Sequence, residues 1–244
     1  MPVIDINTRF GPEPGGQRGG SAEQISSAAQ AVEVDISVVC STTAVFYDHD
    51  EGNSETFQAC ALSGGRLIPA AVLNPAEILD PDAAVEAVAG SGFKLARFCP
   101  ADQGWPVDFA PFEACLGLLA GRGLPVMIDC AAPGDATQVA RLAGRAAPEL
   151  PIILAGVNAS TAAEAVAALR LLPGLAVETH GLTALGLLPR LRDAVGAQRL
   201  VFGSGAGALS LGASLYAVYG STLAEDEKTL ILGGNAARIL GLGA

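Results

Sequence analysis

The chain has 244 residues, 25 acidic against 14 basic, for a net charge of -11. Such acidity argues against a nucleic-acid backbone or an anionic membrane as its main partner. Half of the residues are apolar but only 5% are aromatic, so Ala, Val, Leu and Gly must fill the core, and no apolar run reaches the roughly 18–20 residues of a membrane span.

Met1-Pro2-Val3 leads directly into a strand pattern, without the charged and apolar segments of a secretory signal. The five cysteines form no CxxC pair, which predicts free thiols and a cytoplasmic location. Residues 3–11, VIDINTRFG, alternate apolar and polar, a strand with Ile4 and Ile6 toward helices and Asp5, Asn7 and Arg9 on the other face. Residues 11–21 are rich in Gly and Pro and read as a loop.

Ser21 is a helix cap for residues 22–32, with Glu23 in the first turn. Strands are expected at residues 35–40, 66–73, 93–98, 126–130, 151–155, 175–179 and 199–203. Helices are expected near 53–62, from Asp80 or Asp82 to Gly90, and at 110–120, 137–145, 162–172 (capped by Ser160), 185–195, 209–219 and 226–240. Residues 99–108, CPADQGWPVD, read as a long loop. Short apolar strands alternating with helices indicate a parallel sheet covered on both faces, and eight such units in one domain, residues 1–244, predict an α/β (β/α)8 TIM barrel. An open doubly wound sheet is the alternative, but the first strand is followed by no GxGxxG dinucleotide loop.

Four segments carry a resemblance. FKLARFCP, QGWPVDFAPFEACLGLLAGRGLPVMID, VGAQRLVFGSGAG and the closing LILGGNAARILGL resemble the amidohydrolase-2, or amidohydrolase-related, family of TIM-barrel metal-dependent hydrolases and decarboxylases. The resemblance implies a His-x-His pair at the end of strand one, where this chain has Asn7 and Arg9. It also implies His at Asp129 and Gly156 and a catalytic Asp at Gly205. Each position that would hold or use the metal is thus altered, so no metal and no cofactor are expected.

The chain has only two histidines, His49 and His180. A catalytic zinc takes about three protein ligands, and Asp5, Asp129, Glu178 and His180 are the donors at hand. Arg9 beside them sets a permanent positive charge where a cation would sit. Arg9 and Arg97 either grip a carboxylate or phosphate as paired forks, or Arg9 pairs with Asp5 or Asp129 to fill the metal's volume, the simpler reading. Asp129, Glu178 and His180 are the candidate catalytic groups, since a His beside a carboxylate titrates near neutrality.

Asn7, Arg9, Arg97, Trp105 and Ser204 are the candidate substrate-binding residues. Trp105 would cover the mouth as an aromatic wall or pack in a partner interface. The turn Gly203–Gly207 has the composition of a phosphate loop, His49 reads as surface, and Cys130 has no neighbouring His to make it a nucleophile.

Three functions follow. The first is a metal-free, degenerate barrel, a pseudoenzyme serving as a binding or assembly subunit in a homo-oligomer or beside an active paralogue. The second is a hydrolase or lyase with a rebuilt, metal-independent site acting on a small carboxylate or lactone. The third is a phosphate- or anion-binding barrel. A small anionic ligand suits all three.

Overall fold

The computed structural model describes residues 1–14 and 20–243. Eight strands lie in chain order in one parallel sheet: β1 Ile4–Phe10, β2 Ile36–Ser41, β3 Leu67–Val72, β4 Leu95–Phe98, β5 Val126–Asp129, β6 Ile152–Ala155, β7 Leu175–Glu178 and β8 Leu200–Val201. Twelve α-helical segments accompany them among the described residues: α1 Ala22–Ala31, α2 Thr42–Phe46, α3 His49–Leu62, α4 Pro81–Gly90, α5 Pro100–Gln103, α6 Ala110–Arg122, α7 Asp135–Ala146, α8 Ala162–Leu171, α9 Leu187–Val195, α10 Leu211–Tyr219, α11 Glu225–Thr229 and α12 Asn235–Leu240. The sheet curls until its edges meet. Ile6 N–H donates to Phe202 O at 3.0 Å, Gly205 N–H to Asn7 O at 2.9 Å and Arg9 N–H to Ala206 O at 2.8 Å. The expected (β/α)8 barrel is the fold of this chain.

Alternate strand residues divide the core in two, as the two-residue period of a strand requires. Val39, Ala71, Ala96, Ile128, Leu154 and Val177 pack outward beneath the helices. Val38, Val72, Leu95, Met127, Ile153 and Val201 fill the barrel. Ile4 and Ile6 belong to this inner set, not to the helix-facing layer that their alternation predicts. Ile4 pairs in regular register with Ile36, which packs against the same inner core. The register then slips between Asp5 and Thr8, one extra residue in β1, and such a bulge re-aims side chains beside a site, so that Asn7 and Arg9 reach the mouth on a strand whose Ile4 and Ile6 also face inward.

Several boundaries differ from expectation. Helix α3 begins at His49, capped by the Asp48 carboxylate on Glu51 N–H, four residues before the expected start. Two further short helices form, α2 directly after β2 and α5 in the segment read as a long loop. Ser160 does not cap α8, because its N–H and hydroxyl bind Asn158 Oδ1 at 3.0 and 2.6 Å. Ser21 does cap α1, in a reciprocal pair with Gln24. Of the loop expected at residues 11–21, residues 15–19 lie outside the described residues. The cysteines are free thiols. Among the described residues no helix is long and apolar enough to cross a membrane.

The last helix breaks into a π turn at Leu230–Gly234 before α12. Here Ile231 O accepts from Phe202 N–H at 2.9 Å. Asn235 Nδ2 donates to Ala197 O and Leu200 O at 2.9 and 2.8 Å, and Ala236, Ile239 and Leu240 join the inner core. The helix thereby stoppers the barrel at the end opposite the strand C-termini. Gly233 permits the approach, since a Cβ there would stand 1.9 Å from Pro2 O. Gly233→Ala should therefore destabilise the fold by about 1–3 kcal/mol, lowering Tm by roughly 2–4 °C per kcal/mol at this chain length. An unchanged melting curve would show that the close approach is not needed.

Candidate functional site

The polar strand ends meet in one hydrogen-bonded chain across the C-terminal mouth of the barrel. It starts on α5, where Asp102 Oδ2 accepts from Arg9 Nη1 at 3.0 Å. Arg9 Nη2 donates to Asp129 Oδ2 at 2.8 Å, and Arg97 Nη2 donates to Asp129 Oδ1 at 3.1 Å. Arg97 Nη1 then donates to Asn7 Oδ1 at 2.6 Å, and Asn7 Nδ2 to Glu178 Oε2 at 3.1 Å. The guanidinium forks fix each acceptor's orientation.

Burial alone would raise the Asp129 carboxyl, but Arg97 and Arg9 overrule it and hold it below the ordinary carboxylate range. Of Arg9's two expected partners, Asp129 is the one it takes.

The chain ends on a dyad. Glu178, fully buried, accepts from His180 N–H at 2.6 Å through Oε1 and touches His180 Nδ1 through Oε2. A carboxylate only accepts, which puts the ring proton on Nδ1 and leaves Nε2 as the lone pair of the neutral imidazole. Asn7 acts on the carboxylate, not on the ring: Arg97 claims its Oδ1 and turns its NH2 toward Glu178 Oε2, and that NH2, 3.2 Å from His180 Nδ1, cannot accept the ring proton, which leaves Glu178 as its acceptor. Nε2 has no hydrogen-bond partner among the described residues. Burial would lower the His180 pKa, but the hydrogen bond and charge of Glu178 prevail and raise it above the usual value. Two glycines make room: a Cβ on Gly203 would lie 2.3 Å from Glu178 Oε1, and one on Gly205, at φ +66°, 3.4 Å from His180 Cδ2.

Asp5 turns the other way. Its carboxylate takes the Ser204 N–H at 2.9 Å, the Ser204 hydroxyl at 2.5 Å and the Asn7 N–H at 3.1 Å. Full burial pushes its pKa up from 3.8 to about 7 against those hydrogen bonds, with the Glu178 charge adding to the rise. Ser204 is thus a buried partner of Asp5, not a group open to substrate.

The phosphate-loop expectation for Gly203–Gly207 also yields, because four of its five N–H groups are already engaged. Those of Gly203, Ser204 and Ala206 bind Thr179 Oγ1, Asp5 Oδ1 and Ser204 Oγ, and that of Gly205 binds Asn7 O.

Trp105 lies outside the mouth chain and is neither wall nor exposed interface. It is buried among Phe98, Phe109 and Phe112, with ring centroids 5.4–6.3 Å away, and Nε1 donates to Gln103 Oε1 at 3.0 Å. An apolar ring gains more from that cluster than from a charged mouth.

Two residues at the mouth were not foreseen. Asp102 is brought in by α5, whose four residues read as loop, and Cys99 lies 3.9 Å from Arg9 Nη2.

Cys99, Asp102 and Asp129 are the one group of at least three potential metal donors among the described residues. They do not fit a metal as they stand, because the Arg9 guanidinium contacts all three. In addition burial, followed by the Asp129 charge, pushes the Cys99 thiol up to about 12, whereas a ligand must be a thiolate.

Comparison with known proteins agrees with this barrel. The sequence profile of the Amidohydrolase family matches residues 17–242. Among solved structures, 5-carboxyvanillate decarboxylase from Sphingomonas paucimobilis superposes with a TM-score of 0.78 at 16% identity, over 100% of both chains. The 2,6-dihydroxybenzoate decarboxylase from Rhizobium gives 0.76 at 15%, over 99% of each. A probable 2-pyrone-4,6-dicarboxylic acid hydrolase from Acinetobacter baumannii gives 0.73 at 12%, over 99% of this chain and 100% of that one. No curated protein matches the sequence.

Asp5 makes stability depend on pH. Its folded pKa stands above the unfolded one, so its contribution is complete below about 3.8 and is lost as pH rises toward about 7. The loss is on the order of 4 kcal/mol. Asp5→Asn keeps the neutral shape and should remove this fall from denaturant-midpoint profiles; parallel profiles for the two proteins would refute the assignment. Arg97→Met leaves Asp129 and Asn7 short of a buried donor and should cost about 3–5 kcal/mol in the same measurement.

Proposed function

The chain belongs to the amidohydrolase family, and from that premise we propose that it is a metal-independent hydrolase or lyase acting on a small carboxylate or lactone. The observation that carries the reading is the Glu178–His180 dyad, with Nδ1 engaged by a buried carboxylate and Nε2 unpartnered among the described residues. Its solved neighbours, among them two decarboxylases and a probable hydrolase, lend weight to an enzyme.

In this reading His180 Nε2 is the working atom. In hydrolysis it takes a proton from the water that attacks the lactone carbonyl. It then returns that proton to the ring oxygen as the C–O bond breaks, giving a hydroxy acid. In decarboxylation the protonated Nε2 delivers its proton to the carbon that releases CO2. Glu178 holds the tautomer and stabilises the imidazolium. Asn7 is a positioning residue, since it aligns Glu178 and touches Arg97. Arg9, its side chain 17% exposed at the mouth, offers a substrate carboxylate a permanent cation, while Asp102 and Asp129 hold it in place. Trp105 and Ser204 take structural parts.

A non-catalytic binding or assembly subunit is the second reading, favoured by the Arg9 guanidinium sitting amid Cys99, Asp102 and Asp129.

A panel of lactones and aromatic or aliphatic carboxylates, followed by acid release and CO2 evolution, separates the two. The enzyme reading expects turnover that survives a chelator and falls about 10²–10⁴-fold in His180→Gln. Turnover indifferent to that substitution, or abolished by the chelator, contradicts it. A panel with no turnover favours the assembly reading.

A further inference from the structure

His180 belongs to two surroundings at once. Its Nδ1 edge closes the polar chain of the mouth, while the ring also lines a cleft of about 280 Å³ formed by the segment after β7, α9 and α10. The rest of that lining has no ionisable side chain. Its walls are chiefly Leu182, Leu188, Ala217 and Val218; of the hydroxyls in the lining, Ser214 has given its proton to Ser204 O at 3.1 Å and Thr179 to Gly203 O at 3.3 Å, and Thr183 stands at the exposed edge.

We propose that this cleft is the specificity site of the enzyme and takes the apolar chain or ring of a monocarboxylate, or of the corresponding lactone, with the carboxyl or carbonyl group at His180. This rests on the catalytic reading of the Glu178–His180 dyad.

The chemistry of the walls argues for that class. A sugar or a phosphorylated molecule would leave hydroxyls or charges against Leu and Val without partners, which is unfavourable by a few kcal/mol per group. A hydrocarbon body loses nothing there and gains with each methylene removed from water. A single titratable group at one wall then orients the molecule, its polar end at the imidazole and its apolar end away. This matches the general make-up of small-molecule sites, apolar walls with a few convergent polar groups.

The test measures binding of the straight-chain carboxylates from acetate to octanoate to the intact protein by calorimetry. The dissociation constant should fall about fourfold per added methylene until the chain fills the cleft. Ala217→Leu, a good helix former at an exposed position of α10, introduces a side chain into the cleft, and should flatten the series.

His180→Ala should weaken every member by a similar factor and leave the slope intact. A flat series in the unaltered protein, a slope undisturbed by Ala217→Leu, or no binding of any member at millimolar concentration overturns the specificity site. A kept slope with turnover indifferent to the loss of His180 instead overturns the catalytic assignment on which it rests.

Discussion

Two guanidinium groups and a carboxylate in a barrel mouth impose one constraint on everything around them: each buried charge must meet its opposite. Arg97, 2% exposed, is the strictest case. Its removal from water is tolerable only because Asp129 and Asn7 face it at hydrogen-bond distance. Asp129 needs Arg9 as well, and Arg9 needs Asp102 for its second nitrogen. The β1 bulge, the short helix α5 and the missing Cβ at Gly203 are the backbone's answers to these demands. The dyad at the other end of the chain inherits its alignment from them through Asn7.

In the same network the Arg9 guanidinium sits among Cys99, Asp102 and Asp129 much as a cation would. A metal gathers donors because it carries charge and accepts several lone pairs. The Arg9 guanidinium does both, with N–H donors in place of empty orbitals, and it needs no deprotonated thiol. What it cannot do is polarise a bound water as a Lewis acid would, so in the proposed reaction proton transfer falls to His180. The rise in the His180 pKa set by Glu178 suits a group that must hold a proton part of the time near neutrality.

How much of this could be read from the sequence depends on where each residue sits. The barrel was legible because its strands are short apolar runs, such as PIILA and LAVET, set between helices of regular spacing. Arg9, Arg97, Asp129, Glu178 and Asn7 could be gathered at the mouth because polar residues closing an apolar strand mark the C-terminal end of a barrel.

Other features depend on geometry that no residue pattern records. One extra residue in β1 lets Asn7 and Arg9 face the mouth on the same strand that turns Ile4 and Ile6 inward. A single helical turn delivers Asp102. Asp5 chose the Ser204 N–H and hydroxyl over a guanidinium because the β8 turn presents both to it. Trp105 followed Phe98 and Phe112, whose rings are distant in sequence from one another yet stack under one segment.

The backbone at Gly205 has a consequence for how such a barrel could change its chemistry. The resemblance puts an acid at position 205 in metal-using relatives, whereas here a Cβ would press within 3.4 Å of the imidazole and within 3.1 Å of Leu209, on a backbone at positive φ. The distance to the imidazole is ordinary contact and the Leu209 methyl can give way, so the obstacle to an acid at position 205 is the backbone. At φ +66° a side chain there is strained, and relieving that strain would re-path the turn that carries the Gly205 N–H to Asn7 O, so a change at one residue would be felt across the barrel seam.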